Sequence, residues 1–279
     1  MAFFLTLRCL QNCAYCLVEQ GRGRADGNAG PAMSPQDWLR AANRIPTRMD
    51  LPITLQGGEP ALSPALPVLA TQTAPQTKLD MLSTLPPQAL DILLGMPPSR
   101  FIRQAPYAPI RVTFHAGNGS LDEFIKRVTA LIDAGFQVGV YGLEYPDPAL
   151  REEIAHAQER CLALGLDFRT KEFLGNWQDT LHGTYSYQDA VDASQTSSVS
   201  CRTSELLVAP DGFIHRCHSD LYSGSDPIGH ILDPGFTGEE LEEFRPCDQF
   251  GRCNPCDVKL KTNRRQIFGH TSVEIIFNA

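Results

Sequence analysis

The sequence predicts an α/β protein built on a parallel sheet, followed by a smaller cysteine-rich region. Two observations predict the sheet. Short apolar runs alternate with helical patterns over the first 175 residues, and the helical stretches carry recognisable start and stop signals. The third observation is that five of the nine cysteines fall between positions 201 and 256, which sets the C-terminal part apart. At 279 residues the chain can bury a full core as one large or two unequal domains.

Six apolar runs read as strands, at residues 3–8, 53–56, 79–83, 111–115, 137–143 and 168–172. Ser34 caps a helix with Pro35 at its first position and with Trp38, Leu39, Ala42 and Ile45 on its buried side. A weaker helical pattern covers 88–95, its limits blurred by prolines on both sides. Ser120-Leu121-Asp122-Glu123 is a capping box leading into Phe124, Val128, Leu131 and Ile132, with Gly135 as terminator. Asp147-Pro148 opens a further helix that Gly165 closes. Along it Leu150, Ile154, Ala157, Cys161 and Leu164 share one face, so Cys161 reads as a buried thiol packing as a small hydrophobe.

Sites in parallel α/β barrels sit beyond the C-terminal ends of the strands. Cys9, Gly57 to Pro60, Ser83-Thr84 and His115 each follow one of the first four strands, which brings them to one rim.

The bulk numbers exclude several classes. Hydrophobic content of 42% and charged content of 20% suit a globular protein in water. A net charge of −8 argues against nucleic acid, which calls for clustered Lys and Arg. Lys259-Leu260-Lys261 with Arg264-Arg265, and Glu239-Glu240 with Glu242-Glu243, read as solvated surface. No secretory h-region and no apolar stretch of membrane-spanning length are present. The cysteines are therefore expected to serve metals in a reducing cytoplasm, not to form disulfides.

Three of them stand in eight residues, Cys9, Cys13 and Cys16, spaced C-x3-C-x2-C. Three thiolates without a fourth ligand nearby suit a four-iron cluster with one open iron; closed zinc sites want four protein ligands. The spacing, with Tyr15 before the third cysteine, and the later Gly57-Gly58-Glu59-Pro60 resemble the radical S-adenosylmethionine (radical SAM) superfamily. That resemblance implies a partial (β/α)6 TIM-like barrel over 1–175. It implies SAM chelated on the open iron and cleaved, after one-electron reduction, to a 5′-deoxyadenosyl radical that abstracts a substrate hydrogen. It also implies an external electron donor such as flavodoxin or ferredoxin. Gly57, Gly58, Glu59 and Pro60 would meet the SAM amino group. Tyr15 would join the cofactor site, and Ser83 with Thr84 would reach the ribose or carboxylate, or else cap the next helix. His115, Glu144, Arg169, Lys171 and Glu172 lie near later strand ends. Of these, His115, Glu144 and Lys171 are the catalytic candidates, with Lys171 preferred to Arg169 for an anionic group because it is nearer the rim. Surface salt bridges would account for the same residues. The glycine-rich loop 18–33 either folds over the site or is simply solvated.

Residues 176–200 read as a polar connector to the domain 201–279. Cys201 and Cys217 are spaced C-x15-C, and Cys247-x5-Cys253-x2-Cys256 follows. Between the first two, Asp211-Gly212 marks a hairpin turn. The layout resembles the SPASM/twitch auxiliary-cluster extensions of radical SAM enzymes. The twitch pattern holds one extra four-iron cluster on Cys201, Cys217, Cys253 and Cys256, with Cys247 spare or substituting. A zinc site is the alternative metal reading, with His215 or His218 as further ligands. The tail 272–278 alternates enough to be a closing strand.

The expected reaction is a two-electron oxidation or rearrangement of a small molecule assisted by the second cluster. The cysteine layout most resembles a twitch-type dehydrogenase acting on an aminocyclitol alcohol, without carrying that substrate over. Auxiliary potentials span ~−700 to +450 mV, so spacing alone leaves the cluster's role open. The alternatives are a SPASM-type peptide or protein maturase, against which Cys9 leaves no room for a leader-binding domain before it, and a non-enzymatic electron carrier or zinc-stabilised binding module. The molybdenum-cofactor cyclase pattern is not matched.

Overall fold

Each apolar run becomes a strand because its residues alternate between a fully buried face and a partly polar one. The computed structural model describes residues 1–11, 13, 15–20, 31–203, 205–236, 243–260 and 272–278. Gly21-Arg22-Gly23-Arg24 of the glycine-rich loop, most of the acidic run and the basic residues from Lys261 onward lie outside them. By internal contacts the chain divides into two units. One is Met1, Phe3–Asn12 and Met33–Phe173; the other is Ala2, Cys13–Ala32 and Leu174–Ala279.

In the first unit β1 (Ala2–Thr6) is followed, across the loop that bears α1 (Leu17–Gln20), by α2 (Pro35–Arg44) and β2 (Ile53–Gly57). Then come α3 (Ala65–Gln72), β3 (Leu79–Ser83), α4 (Pro87–Leu94), β4 (Ile110–Thr113), α5 (Leu121–Asp133), β5 (Val138–Glu144), α6 (Pro148–Ala163) and β6 (Asp167–Glu172). The six strands lie in the order β1-β2-β3-β4-β5-β6, all parallel, with Ile53 opposite Leu79, Met81 opposite Ile110 and Val140 opposite Phe168. This is the open, mixed α/β arrangement of a partial barrel. Ile53, Leu55, Leu79, Met81, Ile110, Val112 and Val140 are fully buried on one face. Thr54, Gln56, Asp80, Arg111, Thr113 and Tyr141 alternate onto the other.

The predicted caps form. Ser34 Oγ accepts from Asp37 N at 3.1 Å, Ser120 Oγ from Glu123 N at 3.4 Å, and Asp147 Oδ1 from Ala149 N at 2.9 Å. Cys161 is buried in α6, and burial pushes its thiol up to about 11. Leu164 differs from the expected face: α6 ends at Ala163, leaving Leu164 as its cap and 59% exposed. Helix α3 is not legible in the sequence. It carries Pro67 and buries Ala65, Leu66, Leu69 and Ala70, so it lacks a polar face to set a period.

The second unit has β7 (Gly175–Trp177) and β8 (Thr180–His182) as a hairpin inside the expected connector, then β9 (Ser197–Thr203), β10 (Leu207–Val208), β11 (Phe213–His215), α7 (His218–Ser223), β12 (Gly229–His230), β13 (Arg245–Phe250), α8 (Pro255–Val258) and β14 (Val273–Phe277). The Asp211-Gly212 turn joins β10 to β11, with Val208 opposite Ile214. The tail strand β14 pairs with β9, which β13 flanks on its other side. Ala190, Val199, Cys201, Phe250, Val258, Val273 and Ile275 form this unit's core. Among the described residues no helix is long and apolar enough to cross a membrane.

Candidate functional site

The rim of the first unit is assembled by backbone contact between the ends of β1 and β2. Gly58 N donates to Thr6 O and Glu59 N to Arg8 O, each at 2.8 Å, so pairing continues past β1 to the residue before Cys9. Such closeness leaves no room for a side chain. A Cβ on Gly57 would stand 2.1 Å from Thr6 O, and one on Gly58 2.1 Å from Arg8 O. Gly57 also has φ of +131°, where glycine is favoured. The paired glycines thus hold the cysteine-bearing segment against the rim.

Glu59 closes the same corner. Its carboxylate is fully buried, and a buried charge is tolerated only when its lone pairs are satisfied. Ser83 Oγ donates to it at 2.9 Å, Thr84 N at 2.8 Å, Thr84 Oγ1 at 2.9 Å and Ala61 N at 3.2 Å. Ser83 Oγ also accepts from Leu85 N at 2.8 Å. Ser83 and Thr84 are therefore committed to Glu59, and neither caps α4, whose N-cap is Pro86. Inside the corner lies a cleft of about 140 Å³ lined by Gln56, Gly57, Gly58, Leu82, Ser83, Thr84 and Thr113. A second groove of about 450 Å³ shares Thr84 and runs along Leu10, Gln11, Pro86 and Asn118.

Of the three N-terminal cysteines, Cys9 is exposed after β1 and its Sγ accepts from Gln11 N at 3.4 Å. Cys13 and Cys16 belong to the second unit, where Cys16 N donates to Cys13 O at 2.9 Å. Tyr15, also in the second unit, sets its ring 6.5 Å from that of Trp177. None of the nine cysteines, all of them described residues, is in a disulfide.

Among the catalytic candidates, His115 and Lys171 are brought together. Burial, with Lys171 adding to it, holds the His115 imidazole down to about 4, so it is neutral near pH 7. Lys171 Nζ stands 4.3 Å from the centre of the Tyr141 ring. Glu144 is on the opposite face of the sheet from Tyr141 and accepts from Thr170 Oγ1 at 2.7 Å. Arg169 donates to its strand neighbour Asp167 at 3.0 Å. A polar cluster unforeseen in the sequence lies lower on the same face as Tyr141. There Asp80, fully buried, accepts from Arg103 at 2.5 Å and Arg111 at 2.6 Å, and both guanidiniums flank the Tyr107 ring. Charged residues inside the apolar runs Leu79–Ser83 and Ile110–Thr113 were its signal.

In the second unit four thiols belong to or adjoin the core. Cys201 belongs to that core, and Cys217, Cys247 and Cys253 pack against it. Cys201 hydrogen-bonds Cys247, which pulls Cys247 below the usual thiol range and pushes Cys201 above it. Burial drives Cys217 well above that range and Cys253 up to about 12. The sulfurs already face N–H donors, from Asp220 N to Cys217 and from Gln249 N to Cys247, each at 3.4 Å. Cys256 lies at the start of α8, and burial, with Cys256, Asp257 and Cys16 adding to it, raises the Tyr222 hydroxyl well above its usual range. The two histidines are held by other partners. His215 Nδ1 donates to Ser225 O at 2.9 Å and His218 Nδ1 to Asp257 Oδ1 at 2.6 Å.

No family model and no curated protein matches the chain. Its fold is shared with solved structures of anSMEcpe. Native anSMEcpe with bound AdoMet and Kp18Cys peptide superposes with a TM-score of 0.57 at 9% identity, covering 91% of this chain and 82% of that one. Native anSMEcpe with bound AdoMet gives 0.55 at 9% identity, covering 87% and 80%. The form with AdoMet and Cp18Cys peptide gives 0.54 at 9% identity, covering 87% and 79%.

Proposed function

We propose that this chain is a radical SAM enzyme, with Cys9, Cys13 and Cys16 as the thiolates that hold a four-iron cluster. A fold shared with AdoMet-bound proteins supports the reading, as does the C-x3-C-x2-C spacing. The observation that carries it is the corner where Gly57 and Gly58 admit the backbone of the cysteine-bearing segment at hydrogen-bonding distance. The residues fit the group: three thiols in no disulfide, with Cys9 exposed and accepting an N–H. With cluster and SAM bound, reductive cleavage supplies a 5′-deoxyadenosyl radical that takes a hydrogen from the substrate.

The chain's own residues position the reaction. The cleft of about 140 Å³ would take the methionyl end of SAM. Glu59 is not among the residues lining it; it fixes Ser83 and Thr84, which pre-organises that wall of the cleft. Neutral His115 beside Lys171 offers a proton acceptor and a cation to a substrate lying over Tyr141.

The second unit would hold one auxiliary four-iron cluster, in preference to zinc. Packing favours Cys201, Cys217, Cys247 and Cys253 as its ligands, with Cys256 in reserve. The reaction we favour is a two-electron oxidation or rearrangement of a small molecule in the cytoplasm, with electrons from a donor such as flavodoxin or ferredoxin. A peptide substrate is the second reading, motivated by the peptides bound in two of the similar structures.

Anaerobically reconstituted protein should release 5′-deoxyadenosine from SAM once reduced, and Cys13→Ala should abolish it. Electron uptake without SAM turnover would refute the reading.

A further inference from the structure

Arg216 stands between β11 and α7, immediately before Cys217, with its side chain 7% exposed. Burying a guanidinium is costly unless its charge is answered. Its Nε stands 3.4 Å from Asp220 Oδ2, and Nη1 donates to Pro246 O at 3.0 Å. The same Nη1 lies 3.8 Å from Cys201 Sγ. Nη1 also reaches Arg245 O at 3.5 Å, on the strand that carries Cys247, and Nη2 stands 3.9 Å from Asp226 Oδ2. The cation therefore contacts Cys201, precedes Cys217 in the chain and touches the residue before Cys247.

We propose that Arg216 sets the reduction potential of the auxiliary cluster, its guanidinium donating to Cys201 Sγ and lending a fixed positive charge to the thiolate cage. The proposal rests on the second-cluster reading above. Cluster potentials rise with hydrogen bonds to sulfur and with positive charge nearby, because both favour the more negative, reduced state. Arg216 acts through the ligand sulfurs, so it is a positioning and tuning residue, not a catalytic one. Removing the Arg216 charge should move one cluster's potential and leave the other in place.

The test is redox titration of the full reconstituted chain, read by electron paramagnetic resonance alongside iron content. In Arg216→Gln, which keeps an N–H donor but removes the charge, the midpoint of one cluster should fall while iron content and the other midpoint stay unchanged. Arg216→Lys, which keeps the charge, should fall between Gln and the unsubstituted chain. Two unmoved midpoints at full iron content would overturn the proposal. So would loss of the second cluster in both variants, which would make the residue structural. A single cluster, or zinc, in the unsubstituted chain would instead refute the second-cluster reading itself and remove the proposal's basis.

Discussion

The two thiol-bearing regions are held in opposite ways. At the first, the segment leading to Cys9 is fixed by main chain, Thr6 O and Arg8 O lying against two glycines, and Cys9 itself is exposed. In the second unit the thiols are fixed by side-chain packing, with Cys201 inside a core and three others against it. Main-chain pairing fixes where the segment runs and leaves the Cys9 side chain exposed, whereas packing buries the Cys201 side chain. Under the proposed function the first arrangement would suit an open, reactive iron and the second a closed electron-transfer site.

The comparison breaks most severely at Gly58. Gly58→Ala would press a methyl onto Arg8 O, and no nearby flexible side chain can give way. We expect loss of about 3 kcal/mol or more by overpacking and backbone strain. SAM cleavage should vanish while auxiliary-cluster signals persist, as thermal unfolding and electron paramagnetic resonance would show. Next comes Cys247→Ala, which should halve the iron, whereas Cys256→Ala should retain it; the reverse outcome would restore the C-x2-C pair as ligands. Glu59→Gln should cost about 2–3 kcal/mol, since an amide offers an N–H₂ to a corner already filled with donors. SAM affinity should fall with it, measurable by calorimetry.

The smallest effect concerns pH. His115 titrates near 4 in the folded chain and near 6.5 unfolded, so the unfolded state binds the extra proton between those values. Stability contributed above pH 6.5 is lost as pH falls toward 4. Between pH 7.5 and 5.5 the loss is about 1 kcal/mol. His115→Gln should remove that slope from urea titrations.

Most strands were legible because a parallel sheet buried on one face writes apolar residues at every second position, as at Ile53 and Leu55 or Ile110 and Val112. Helix α3 was not, since its surface has no polar stripe. The site was legible where spacing decides the chemistry, at Cys9, Cys13, Cys16 and the glycine pair. Direction was not legible. Spacing places Cys253 and Cys256 together, but α8 begins between them, with Asn254 as its N-cap. Nothing local shows that Glu59, twenty-four residues earlier, takes the Ser83 hydroxyl. Arg216 was hidden for the same reason: its partners Cys201 and Pro246 are remote in sequence.

The most direct test is the electron paramagnetic resonance spectrum of the reduced, reconstituted chain carrying Cys201→Ala and Cys217→Ala, recorded before and after SAM is added. The account predicts a single remaining four-iron signal that shifts when SAM binds its open iron. A signal that SAM leaves unchanged would contradict it.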